Sequence, residues 1–309
     1  MKAIVICTGA VAGVDRLGEY GRRSLLPLVD RPVVQHVVEQ LVRAGVVEYH
    51  FVLGHAQQDF QQLLAGGERW GAEFHFHHAE HPDRPYDVFE SAELWQDGDQ
   101  HLLVHADRLP QVDLSFLTTD GGDALVFTSG AGVNEWSGWG RIGADSAAAL
   151  PAGAMESEVA DLLRALPHDS LTSDRTLSAQ SFELLLESQA IVVGGGAPDL
   201  FMNGRNPRGP GIRICRNVHI DPTAQIEGPV FLGDNVRVGK NVRLGPNTVV
   251  GDNSVIDRQT VIQQSLVLPN TYVGEWLELS NCVARQGEFV NARLGAYVPV
   301  DDHFVLSAV

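Results

Sequence analysis

The sequence predicts an α/β domain built on a parallel sheet, followed by a parallel β-helix. Three observations carry this: an alternation of strand-like and helix-like segments near the N-terminus, a ladder of aliphatic residues spaced six apart in the last third, and a Gly- and Pro-rich stretch, "NGRNPRGPG" at 203–211, between them. A chain of 309 residues has room for two domains, since domains commonly run to roughly 100–200 residues. The 44% hydrophobic content lets each bury a core. The division is placed in the Gly/Pro stretch, giving 1–205 and 206–309.

The first element is "KAIVIC", a continuous apolar run that suits a fully buried strand. "PVVQHVVEQLVRAG" follows with Val33, Val34, Val37, Val38, Leu41 and Val42 at helical spacing, closed by Gly45. "YHFVLG" reads as a strand and "AQQDFQQLLAGG" as a helix with a glycine stop; "AEFHFHH" and "HLLVHA" supply further strands. This β-α-β-α order calls for parallel strands with helices on the sheet's faces. Between 110 and 200 the pattern weakens. Strands are expected at "DALVFTS" and "AIVVGG" and a helix at "MESEVADLLRAL".

In the last third Ile220, Ile226, Leu232, Val238, Leu244, Val250, Ile256, Ile262 and Leu268 stand six apart, with small or apolar residues two positions before each. An α-helical face repeats at 3.6 residues, so a period of six excludes helix. Short flat strands joined by sharp turns fit, stacked so that the aliphatic ladder is buried. Gly233, Gly239, Gly245 and Gly251 follow four of these positions and are expected to supply turn torsions costly for other residues. The stretch 270–309 leaves the strict period and reads as a further coil or a cap.

Acidic residues outnumber basic ones 39 to 22, for a net charge of −17, with no basic run. Such a field repels nucleic acid and anionic lipid, and points to small molecules or proteins as partners. The lysines are Lys2 and Lys240. Cys7, Cys215 and Cys282 are too widely spaced for a disulfide framework or a zinc knuckle, which suits a reducing cytoplasm. "MKAIVICTGAVAG" mimics a signal peptide, but its presequence would be shorter than the usual ~15–30 residues, so a buried first strand is expected. No apolar run is long enough to span a membrane.

Three stretches carry a family resemblance: "LLPLVDRPVVQHVVEQLVRAGVVEYHFVLGH", "GGERWGAEFHFHHAE" and "LLVHADRLPQVDLSFL". With the hexad ladder behind them, the chain resembles the sugar-1-phosphate nucleotidylyltransferases over nearly its whole length. The resemblance implies a Rossmann-like domain followed by a left-handed hexapeptide-repeat β-helix, three hexads to a coil. It implies transfer of a nucleotidyl group from an NTP to a sugar 1-phosphate with release of pyrophosphate, assisted by Mg2+.

The family's loop, A-A-G-x-G-T-R-L followed by P-K-P, falls on "TGAVAGVDRLGEYGRR". Aligned from Gly9, its second glycine meets Val11, its threonine Ala12, its arginine Gly13 and its lysine Arg23; a shift of three would bring Arg16 and Leu17 into the R-L place. Gly9, Ala10 and Arg23 are therefore the expected nucleotide contacts, and Arg23, Arg16 and Asp107 the expected catalytic set. Asp107 in "VHADRL" stands where the family holds its metal, while Gly194 in "GGGAPDL" replaces the second metal-binding aspartate. Gly140 and Arg141 in "GWGR" occupy the sugar side, where the family's lysine has no counterpart. "RPYDVFESA" at 84–92 stands in for the base-contacting segment.

β-Branched Val11 obstructs close approach of backbone to phosphate, and phosphoryl-type transfer depends on positioned positive charge. The resemblance therefore implies either a divergent enzyme with impaired or lost catalysis, or a non-catalytic descendant that binds a nucleotide, a nucleotide sugar or a partner protein, or regulates polysaccharide synthesis. A third reading, a hexapeptide acyltransferase, would use His219 and His303, although His219 is expected to point outward. His75, His77, His78 and His81 admit metal chelation, but the plainer reading is a solvated strand edge; Trp136 and Trp139 admit stacking on a ligand, but plain packing is preferred. The β-helix makes a homo-oligomer the expected assembly.

Overall fold

The computed structural model describes residues 1–9, 22–54, 57–95, 100–119, 121–129, 135–151, 153–207 and 211–309. Its contacts divide the chain into two compact units, the first drawn mainly from Pro32–Gln180 and the start of the chain, the second mainly from Ser181–Val309. This differs from the division at 205/206 by assigning a further α-helix to the second unit.

In the first unit, β1 (Lys2–Cys7) leads to α1 (Val33–Arg43), β2 (Glu48–Leu53), α2 (Gln57–Leu64), β3 (Glu73–His78), β4 (Gln100–His105), β5 (Ala124–Thr128), β6 (Glu135–Gly143), α3 (Glu156–Ala165) and β7 (Asp169–Ser173). The strands form one seven-stranded sheet in the order β7-β5-β6-β4-β1-β2-β3. β1 pairs in parallel with both β2 and β4, whereas β6 runs antiparallel to β4 and β5. The central place of β1 explains its unbroken apolar composition: Ala3 to Cys7 are all buried. α1 buries the valine and leucine stripe its spacing foretells, Val33, Val34, Val37, Val38 and Leu41. On one sheet face Ile4, Ile6, Val52, Leu103 and Leu125 pack with Val159 and Leu163 of α3.

The second unit opens with α4 (Phe182–Val193). The strand expected at "AIVVGG" is the end of this helix: Ser181 caps it by accepting from the Leu184 amide at 3.2 Å. The β-branched run Ile191–Val193 mimicked a strand, but the cap and the apolar residues before it prevail.

From Ile212 onward the chain forms three parallel ladders. Ile220 pairs with Val238 and Val238 with Ile256; Ile226 pairs with Leu244 and Leu244 with Ile262. One coil thus takes three hexads, as the hydrogen bonds between residues 18 apart also show. One position differs from the strict period. Val250 sits over Val267, not Leu268, because the next coil is a residue shorter, the side-chain link there spanning 17 positions.

The positions two before the aliphatic ladder change from valine to hydroxyl residues along the helix. Thr248, Ser254 and Thr260 are fully buried and donate to the carbonyls of Ile262, Leu268 and Gly274 at 3.2, 3.1 and 2.7 Å. Those bonds offset the desolvation of each hydroxyl.

The turn torsions also differ from expectation. At the corners the left-handed backbone belongs chiefly to asparagine: Asn217, Asn235, Asn253 and Asn270 have φ of 55, 61, 57 and 58°. Asparagine tolerates this region better than most side chains. Their amides also stack as a ladder of 2.8, 2.8 and 3.0 Å hydrogen bonds. Of the four glycines only Gly245 has positive φ. Gly233 serves close approach instead, since a Cβ there would lie 2.8 Å from the Asp252 amide nitrogen. After Cys282–Arg285 the chain turns into antiparallel strands, Glu288–Asn291 and Ala296–Pro299, and Leu306–Ala308 pairs antiparallel with Thr271–Val273. This closes the coil, with Leu306 buried in its core.

Candidate functional site

β1 and β4 are parallel neighbours, so both deliver their following residues to the same sheet edge, where ligands of open α/β sheets bind. Beyond β1 stands Gly9; beyond β4 stand Ala106 and Asp107, with the Ala106 amide bonded to the Ile6 carbonyl at 3.0 Å. Arg23 returns to this place through its backbone, donating to the Gly9 carbonyl at 3.2 Å. A Cβ on Gly9 would lie 3.1 Å from Arg23 Cδ and 3.4 Å from Asp107 Oδ2. Gly9, Arg23 and Asp107, singled out from the sequence, are thus gathered in one place. Ala10 and Arg16 lie outside the described residues.

Asp107 is buried, and a guanidinium faces each of its oxygens: Arg108 Nε donates to Oδ1 at 3.1 Å, and Arg23 Nη1 to Oδ2 at 3.4 Å. Burial pushes the Asp107 carboxyl up, but the charges around it, Arg108 foremost, outweigh burial and hold it below the usual range. Arg108 also donates to the carboxylate of Glu156 from α3 and to His105 Nδ1 at 3.1 Å. A guanidinium has no acceptor, so His105 Nδ1 must accept and the ring proton resides on Nε2, 2.9 Å from the Tyr86 hydroxyl. Burial, helped by Arg108, pushes the His105 pKa down to about 4, in keeping with that neutral ring. Glu156 is likewise kept ionised: burial raises it, and the cationic surroundings more than compensate.

Gly138 completes the arrangement. Its φ is +82°, and a Cβ there would fall 2.9 Å from His105 Cβ and 3.1 Å from Arg108 Cζ. None of Tyr86, His105, Arg108, Gly138 and Glu156 was singled out from the sequence. Tyr86 lies within the 84–92 stretch set against the base-contacting segment, and His105 and Arg108 within "VHADRL"; Gly138 and Glu156 carried no such signal.

The structure does not bring Gly140 and Arg141 to this cluster. A Cβ on Gly140 would lie 2.8 Å from the Ala124 carbonyl oxygen, so glycine there lets β5 and β6 approach. Buried Arg141 donates to the carbonyls of Gly122 at 2.8 Å, Phe116 at 3.3 Å, Leu117 at 3.4 Å and Thr119, which binds it to the 116–122 turn. Trp136 and Trp139 are buried packing residues, and the Trp139 indole donates to the Arg108 carbonyl at 2.9 Å. His219 is exposed on the β-helix, as its outward position foretold.

Residues 210–309 match the family model described as the GMPPB C-terminal domain. Among curated proteins, the chain is 31% identical over 74 residues to the low-salt glycan biosynthesis nucleotidyltransferase Agl11 of Haloferax volcanii, covering 24% of this chain and 21% of that one. It is 25% identical over 153 residues to a glucose-1-phosphate thymidylyltransferase of Actinoplanes sp., covering 46% of this chain and 50% of that one. Over these matched stretches this chain is similar to sugar-1-phosphate nucleotidyltransferases. It spans half or less of the curated nucleotidyltransferases it matches. Among solved structures, a protein from Bacillus anthracis assigned as a glucose-1-phosphate thymidylyltransferase, crystallised with sucrose, superimposes with a TM-score of 0.54 at 13% identity, over 66% of this chain and 98% of that one. At that identity the likeness speaks for the fold alone.

The Mg2+ implied by the nucleotidyltransferase resemblance can be tested against the donors present. A hard divalent ion needs several oxygen ligands. Here one buried carboxylate faces a guanidinium at each oxygen, and Glu156, the second carboxylate of the cluster, is bound by the same Arg108. Two carboxylates already balance two guanidinium groups, so this arrangement does not suit Mg2+.

Proposed function

We propose that this chain is a divergent sugar-1-phosphate nucleotidyltransferase that binds a nucleotide or nucleotide sugar beyond β1 and β4, with nucleotidyl transfer impaired or lost. The observation that carries this is the pair of guanidinium groups on Asp107, which engage the carboxylate that would otherwise be offered to a metal. Gly9 and Arg23 retain the means to hold an anionic ligand: a neck without a side chain, and a cation beside it whose side chain is about one quarter exposed. Arg23 contributes charge and donors at the phosphate, and Asp107 orients Arg23 by holding its guanidinium. Tyr86, His105 and Glu156 set Arg108, which in turn fixes Asp107. A cytoplasmic location and assembly as a homo-oligomer belong to the same proposal. Among the described residues no helix is long and apolar enough to cross a membrane.

The test is a panel of NTPs, sugar 1-phosphates and nucleotide sugars, read by calorimetry for binding and by pyrophosphate release for turnover. Binding that weakens in Arg23→Ala, with negligible release of pyrophosphate, is the expected result. Rapid Mg2+-dependent release by the wild type, abolished in Asp107→Ala, would establish the second reading, a working enzyme. Saturable acetyl-CoA binding lost in His219→Ala would point instead to the acyltransferase.

A further inference from the structure

The parallel pairing of β2 with β3 sets Glu48 beside Glu73, His50 beside His75, and Val52 beside His77. Alternate residues of a strand share a face, and in-register neighbours on adjacent strands do too, so all six side chains point to one side of the sheet. β3 is the edge strand. On the opposite face Tyr49, Phe51 and Phe74 pack together as aromatics. On the histidine face Glu48, His50 and His75 are each half-buried.

The sequence pointed to His75, His77, His78 and His81, of which His75 and His77 share a strand face. The fold adds His50 from another strand and Glu48 two residues before it. The His50 ring stacks on His75 with centroids 4.8 Å apart and on His77 at 5.1 Å. His50 Nε2 lies 3.1 Å from Glu48 Oε1, and one ligand atom each from Glu48, His50 and His75 fall within 4.8 Å of one another. Tetrahedral Zn2+ with Zn–N and Zn–O of ~2.0–2.2 Å sets its ligand atoms roughly 3.3–3.5 Å apart. The cluster is therefore within a small rotamer adjustment of that geometry.

We propose that Glu48, His50 and His75 form a binding site for a borderline first-row divalent cation, with Zn2+ the natural probe. The mixed nitrogen and oxygen donors suit Zn2+ better than Mg2+ or Ca2+, which prefer oxygen alone. His50 has the outer-sphere partner that metal-binding histidines usually possess: His77 Nε2 stands 2.9 Å from His50 Nδ1. With its proton on Nδ1, donated to His77, His50 leaves Nε2 open to the metal. Lys2, 3.1 Å from Glu48 Oε1, is the group the metal would displace from that carboxylate. Three protein ligands leave a fourth position for water or an exchangeable ligand. The site is separate from Asp107 and does not depend on the proposed nucleotide chemistry.

The experiment uses the full chain stripped with chelator and titrated with Zn2+ in competition with a chromophoric chelator. A second titration with Co2+ reads the visible absorption of a tetrahedral ion. One equivalent per chain and a tetrahedral Co2+ spectrum are expected. His50→Gln and His75→Gln, checked for folding by circular dichroism, should each weaken Zn2+ by at least about 100-fold, since loss of even an outer-shell partner costs ~10–100-fold. His303→Gln should leave affinity unchanged. No stoichiometric binding by the wild type would overturn the site, as would affinity unchanged in both variants. Should a variant fail to fold, the stoichiometry and Co2+ spectrum of the wild type decide.

Discussion

Arg108 bridges two carboxylates, donating through Nε to buried Asp107 at 3.1 Å and through its terminal nitrogen to partly exposed Glu156, so that two charges of the three, Arg108 and Asp107, are withdrawn from water. Taking such charges out of water is expensive unless each finds its partners, and removing one member strands the others. Arg108→Met should therefore lower the unfolding free energy by about 3–5 kcal/mol, as measured by urea denaturation. A change below about 1 kcal/mol would show that the cluster tolerates loss of its centre.

His105 makes the same region sensitive to acid. An unfolded chain binds the imidazole proton near pH 6.5, the folded one only near 4. Between these values the unfolded state holds more protons, so stability is full above about pH 6.5 and declines as the pH falls toward 4. The loss should reach roughly 3 kcal/mol between pH 7 and 4. Asp107 and Glu156, held low by their partners, add losses of the same sign at still lower pH. Urea midpoints across this range should fall steeply in the wild type and less so in His105→Gln.

Gly138→Ala introduces a Cβ 2.9 Å from His105 and imposes a positive φ on alanine. Strain of this kind costs on the order of 1–3 kcal/mol. A lowered thermal midpoint with weakened nucleotide binding is expected, because the collision falls on two members of the cluster. An unchanged midpoint would mean that β6 yields more readily than its burial suggests.

On the β-helix, Asn253 separates backbone from side chain. It accepts from Asn235, donates to Asn270 and holds φ at 57°. Asn253→Gly keeps the torsion and loses two hydrogen bonds, each worth roughly 0.5–1.5 kcal/mol. Asn253→Ala loses the bonds and adds about 1–2 kcal/mol for the left-handed backbone. Denaturation should rank wild type above Asn253→Gly above Asn253→Ala, and equal stability of the two variants would show that torsion is immaterial.

Much of the architecture was legible because periodicity records burial. β1, α1 and the hexad ladder each announce themselves by where their apolar residues fall. Failures came where one signal serves two structures. Ile191–Val193 has the composition of a strand and ends a helix; Gly233 has the composition of a turn and serves close packing. The short coil that puts Val267 beneath Val250 is invisible to a strict count of six, because Leu268 is aliphatic and buried too.

Residue order alone determined the two architectures, since short-range spacing dictates strands, helices and coils; that Gly9, Arg23 and Asp107 belong to one site was implied by the family resemblance. Tertiary structure decided which charges pair. Arg108 with Glu156 and His50 with His75 and His77 are contacts between segments far apart in the chain, and no local pattern encodes them. The electrostatics of a site depend on distances of a few ångströms, which only the packed sheet sets.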